Sequence, residues 1–172
     1  MDRARIIETF ASDSTPLIRT DFTDDAAWRA VVTQVSAPVD FDEPDEDDLG
    51  DEGYAPNLTA IDDPGFESVT GALLGEAFSA ADGALGYALL ADSRSMAEAS
   101  AGGEITLDYV DLSVSDPEDV ELFESFMGRT FRCAVPEVAS IETNLSLANM
   151  DFHEFADNTD PDGVFRGFGD GD

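Results

Sequence analysis

Four aspartates stand just past apolar runs that read as strands: Asp21 after Pro16–Thr20, Asp62 and Asp63 after Leu58–Ile61, and Asp92 after Leu85–Ala91. In open parallel sheets, ligands bind beyond the carboxyl ends of the strands. Carboxylates converging there would supply the hard oxygen ligands that Mg²⁺ needs, and the ion would orient a phosphoryl group. The same residues also have plainer uses. Asp63 precedes Pro64 and Asp92 precedes Ser93, both helix starts, where a carboxylate caps free N–H groups. Asp21 can order a turn. The chain has no lysine to contact a phosphate.

A second group, Asn144, Asn149, Asp151 and His153 with Glu154, lies on and just after the last expected helix. Asn149 can end that helix and Asp151 can start the next turn. Asn144 costs helix propensity at mid-helix, so its amide is expected to bond either a backbone group or a ligand. His153 with Glu154 has the chemistry for acid–base work, although a lone histidine near a chain end more often packs or faces solvent. A third group, Asn158, Asp160 and Asp162 with Gly163, copies the front half of a calcium loop. Its twelfth position falls on Gly169 where a glutamate is needed, so an acidic turn is the better reading. There is no nucleophile elbow, phosphate-cradling glycine loop or zinc spacing, and no cofactor is expected. Cys133 is the only cysteine. It lies in a strand-like run and reads as a buried thiol.

The elements that must position these residues follow from periodicity. Strands are expected at 16–20, 58–61, 85–91, 105–112 and 130–135. A short lead helix ends near Phe10. A second helix, capped at Thr23, carries Trp28, Val31, Val32 and Val35 on one face. Asp63-Pro64 opens a helix with Phe66, Val69, Leu73 and Ala77 inward, and Asp92-Ser93 opens a short one through Ala99. A helix is expected over 117–127. Pro136 opens another carrying Val138, Ile141, Leu145 and Ala148. Gly71 and Gly75, four apart, imply close packing. The alternation predicts a single three-layer α/β domain over 1–172. Its sheet has about five strands, mostly parallel, with helices on both faces, and an antiparallel pairing of the last two strands remains open. The run at 40–53 holds nine acidic residues in fourteen and reads as a mobile loop. Residues 157–172 read as an acidic, glycine-rich tail, with Phe165 and Phe168 docking it onto the body.

The charge is extreme. Thirty-nine acidic residues face eight basic ones, all arginine, for a net charge of −31. Self-repulsion at this density opposes compaction unless salt screens it, which predicts adaptation to a high-salt cytoplasm. The same field disfavours nucleic acid and anionic membranes and favours a basic protein partner. No apolar run approaches the length of a membrane span. Met1–Arg5 is followed by no signal-like stretch, so a cytoplasmic location is expected.

Several stretches resemble a family of small actinobacterial domains of unknown function: LIRTDFTDDAAWRAV (Leu17 to Val31), LLADSRSM (Leu89 to Met96), LDYVDLS (Leu107 to Ser113), the long block Gly128 to Asp157, and GVFRGF (Gly163 to Phe168). The Asn-Leu-Ser-Leu-Ala-Asn-Met-Asp-Phe core of the long block is the most specific part. Relative to that family, 40–53 and 114–127 look like insertions. The resemblance implies the α/β fold and no particular chemistry.

Two functions compete. One is a non-enzymatic interaction module of the antitoxin, immunity or inhibitor kind that binds a basic partner. The other is a Mg²⁺-dependent enzyme acting on a phosphorylated small molecule through the strand-end aspartates.

Overall fold

The computed structural model describes residues 1–39, 53–79 and 85–169. Within them one six-stranded sheet runs in the order β2-β1-β3-β4-β5-β6. The strands are β1 (Thr15–Arg19), β2 (Leu58–Ile61), β3 (Tyr87–Ala91), β4 (Thr106–Asp111), β5 (Thr130–Ala134) and β6 (Val164–Phe165). β2, β1 and β3 are parallel, β4 runs against both β3 and β5, and β6 lies parallel to β5. The expected five strands are present and the β4–β5 pair is antiparallel. β6 is an addition, formed inside the stretch read as a tail. The 40–53 acidic run lies outside the described residues, Gly53 excepted.

Strand alternation divides the core into two. Leu17, Leu89, Leu107, Tyr109, Phe131 and Cys133 face α2 (Asp25–Val35), α4 (Ser93–Ala101), α5 (Val138–Ser146) and α6 (Phe152–Ala156). Ile18, Leu90 and Val110 face α1 (Arg3–Ala11) and α3 (Gly71–Phe78). Trp28, Val31 and Val35 are buried on α2, as their spacing predicted.

Three helix boundaries differ from expectation. The α2 cap is Asp24, whose carboxylate accepts from the Ala26 and Ala27 amides at 2.8 and 3.0 Å; Thr23 instead bonds Asp21. The helix opened by Asp63-Pro64 lasts one 3₁₀ turn, because Ser68 takes a positive φ of 60° and Thr70 recaps the chain for α3. Residues 117–127 form a 3₁₀ turn at Pro117–Asp119 followed by irregular turns. Its acidic run of Asp116, Glu118, Asp119, Glu121 and Glu124 offers no countercharge to support a helix. Gly71 and Gly75 do pack closely: a Cβ on Gly75 would stand 2.6 Å from the Met127 carbonyl oxygen.

Candidate binding site

At the carboxyl ends of β1, β2 and β3 the four aspartates do not gather. Asp21 accepts from the Thr23 amide at 2.8 Å and orders the turn into α2. Asp62 pairs with Arg19 at 3.2 Å. Asp63 accepts from the Gly65 amide at 2.8 Å. Asp92 caps α4 through the Ser95 amide at 3.0 Å and pairs with Arg132. Arg19 is only 2% exposed and also pairs with Asp25 at 2.8 Å, with its guanidinium over the ring of Phe22. Among the described residues, no three His, Cys, Asp or Glu side chains are placed to hold a metal ion. Arginines and helix N-termini use the charge that Mg²⁺ would have used. The tail aspartates behave alike: Asp160 and Asp162 each meet Arg166 at 2.8 Å, and Arg166 also reaches Glu104. The Arg166 guanidinium holds the Asp162 carboxyl down at about 2.

The opposite end of the sheet carries a cavity of about 380 Å³. Tyr87, which starts β3, pairs in register with Asp111, which ends β4, and both line it. Leu145 of α5, Ala148 and Met150 of the α5–α6 connection and Phe152 of α6 form an apolar wall, and Phe123 of the 117–127 segment joins the lining. The Tyr87 ring stacks on Phe152 with centroids 5.9 Å apart. Asp119 and Asp151 add carboxylates to the lining.

Asp111 is 1% exposed. Its Oδ1 accepts from the Ser113 amide at 2.8 Å and the Ser113 hydroxyl at 2.6 Å, and its Oδ2 accepts from the Ser125 hydroxyl. No ion pair involves Asp111 among the described residues, so hydroxyl and amide dipoles alone hold the buried carboxylate. Burial pushes the Tyr87 phenol up, and the charges of Asp111 and Asp151 add to the effect. Tyr87 therefore stays a neutral hydroxyl beside these carboxylates.

A family model described as a domain of unknown function, DUF6924, matches residues 14–168. The chain belongs to the DUF6924 family. No curated protein and no solved structure matches it. The DUF6924 match spans every strand of the sheet and all of the cavity lining.

Of the residues proposed for binding in this DUF6924 chain, Asp151 alone lines the cavity. Asn144 sends its amide back to the Ser140 carbonyl at 2.9 Å, and its own carbonyl accepts from the Asn149 amide at 2.9 Å. The Asn144 side chain is thus used within α5, and the Asn149 amide closes the end of that helix. His153 places Nε2 3.2 Å from Glu124 and ties α6 to the 117–127 segment, while its buried Nδ1 has no hydrogen-bond partner. Asp111, Tyr87 and Phe123 escaped the sequence reading. Asp111 ends a strand that runs against its neighbours, so its carboxyl end faces away from the other strand-end aspartates. The one available signal is an aspartate inside the otherwise apolar run YVDL.

Proposed function

We propose that this DUF6924 chain is a non-enzymatic interaction module that docks a basic, amphipathic segment of a partner protein on the face around the cavity. One observation carries the reading. Val120, Leu122, Phe123 and Phe126 are exposed, Leu122 by 71%, and Leu147 is exposed on the adjoining α5–α6 connection. A cluster of exposed apolar side chains beside a concave site is the signature of an interaction surface. Asp116, Glu118, Asp119, Glu121 and Glu124 are interleaved with them, and no basic residue occurs between Leu112 and Arg129. Such a face attracts a partner whose apolar side chains are flanked by cations.

The net charge of −31 steers a basic partner at low salt and maintains solubility in a salt-rich cytoplasm. Molar salt screens the steering, so apolar anchors hold the complex once it forms. The Mg²⁺-enzyme alternative has no comparable support, because its aspartates are committed to arginines and helix caps.

Calorimetric titration with a basic amphipathic helical peptide, beside an acidic peptide of the same apolar pattern, tests the reading. Only the basic peptide is expected to bind. The exposed-site variant Leu122→Ser/Phe126→Ser should lose binding while keeping the native circular dichroism spectrum. Equal binding of both peptides, or full binding by the variant, would overturn the proposal.

A further inference from the structure

Resting on that docking surface, we infer that the cavity between Tyr87, Asp111 and the α5–α6 connection is a receptor for one lysine side chain of the partner. The apolar lining of Leu145, Met150, Phe152 and Phe123 suits a butyl stem. At the polar end, a carboxylate offers about four acceptor sites. Ser113 fills two on Oδ1 of Asp111 and Ser125 fills one on Oδ2, which leaves a single site for a ligand. A bidentate guanidinium fork takes two parallel acceptors on one carboxylate, and Asp111 no longer offers two. An ammonium group presents three donors around a point. Other oxygen-bearing residues of the lining come from separate elements: Asp119 from the 3₁₀ turn, Asp151 at the start of α6, and Ser115. A carboxylate that is 1% exposed and has no ion-pair partner among the described residues also gains from an incoming cation, since little water reaches it to screen the pair.

The test uses the whole chain and two probes: n-butylammonium chloride, and basic amphipathic peptides carrying lysine, arginine or norleucine at a single central position. In amide-detected NMR, n-butylammonium should shift Ser113, Ser115 and Met150, and n-butanol should not. The lysine peptide should bind about tenfold or more tightly than the norleucine and arginine peptides, the scale of a charge-assisted hydrogen bond. Asp111→Asn should remove that preference. Ser115→Phe, which fills the cavity and leaves the Asp111 hydrogen bonds in place, should remove it too and decides the matter if Asp111→Asn does not fold. Equal affinity of the three peptides would overturn the lysine receptor and leave the docking surface standing, whereas failure of all three to bind would remove both. Shifts from n-butylammonium that persist unchanged in Ser115→Phe would also overturn it.

Discussion

The hydroxyl of Ser125 donates to Oδ2 of Asp111, fourteen residues earlier, and so fastens the irregular 117–127 segment to the end of β4. The backbone runs alongside: the Gly128 amide donates to the Asp111 carbonyl at 2.7 Å, and the Asp111 amide donates to the Arg129 carbonyl at 2.9 Å. One buried aspartate thus lines the cavity and holds the 117–127 segment. Ser125→Ala leaves a buried carboxylate oxygen short of a donor, which costs about 1–3 kcal/mol. Urea denaturation should show that loss. Hydrogen exchange at the Gly128 amide should accelerate more than exchange in β1.

Arg132 joins two carboxylates at the other end of the sheet, Asp92 and, at 3.2 Å, Asp108. Burial is the main cause of the raised Asp108 carboxyl, and Arg132 works against it. Arg132→Met should destabilise the protein near neutral pH by about 2–3 kcal/mol, below the full cost of breaking a buried pair because both carboxylates are about one-third exposed. The penalty should shrink as pH falls through the carboxylate range, because a protonated Asp108 no longer needs the cation. Urea melts of both proteins at neutral and mildly acidic pH would show a constant difference if the pairing did not matter.

The three layers were legible in the sequence because their signals repeat. Trp28, Val31 and Val35 mark a helix by spacing, and the run from Leu85 to Ala91 marks a strand covered on both faces. β6 was not legible, since Val164 and Phe165 are too few to show a period and gain their strand character only by pairing with Arg132 and Cys133. The strand-end aspartates stand at the opposite end of the sheet from the cavity. Aspartates after strands are conspicuous, but the arginines that pair with Asp62 and Asp92, Arg19 and Arg132, are distant in sequence and reach them only through the sheet order. Asp151 could be singled out from its place in the α5–α6 block. Asp111 could not be, because nothing local reveals that β4 reverses.

Close helix packing gives a sharp contrast between two glycines. A Cβ at Gly75 would meet the Met127 carbonyl oxygen at 2.6 Å and Gly128 Cα at 2.8 Å, both backbone atoms that cannot swing aside. Gly75→Ala should cost about 3 kcal/mol or more, or prevent folding. Gly102 closes α4 with φ of 67° and open space around it, so Gly102→Ala should cost only about 1 kcal/mol of backbone strain. Thermal melts of the two variants should differ widely; similar values would mean that α3 does not seat against Gly128.

All three tyrosines and the cysteine resist ionisation. Burial raises Tyr54, Tyr87, Tyr109 and the Cys133 thiol above their ordinary values of 10.0 and 9.0. Tyr54 is raised further by its hydrogen bond to Glu142. The folded chain therefore keeps protons that the unfolded chain releases once pH passes those values. Stability from these groups is intact below about pH 9 and is lost as pH rises from there. Tyrosinate absorbance and unfolding followed by circular dichroism should rise together in an alkaline titration. Tyrosinate forming well before unfolding would contradict the burial of Tyr87 and Tyr109.

Salt acts on this molecule through two opposed effects, and their sizes fix the sign. Screening weakens ion pairs such as those of Arg166 with Glu104, Asp160 and Asp162, but these are largely exposed, and such pairs contribute little each. Screening also relieves repulsion among 39 acidic residues that only eight arginines offset. At ~0.01 M salt the Debye length is ~30 Å, so charges across the whole fold repel one another; at ~1 M it is ~3 Å and only neighbours do. The second effect dominates, and Tm should climb steeply from low salt to molar KCl. Choline chloride at equal ionic strength should reproduce the climb, because the cause is screening rather than a bound potassium ion. A flat response would mean that the folded chain does not suffer from its own charge, and the acidic surface would then be left to the recognition of a basic partner alone.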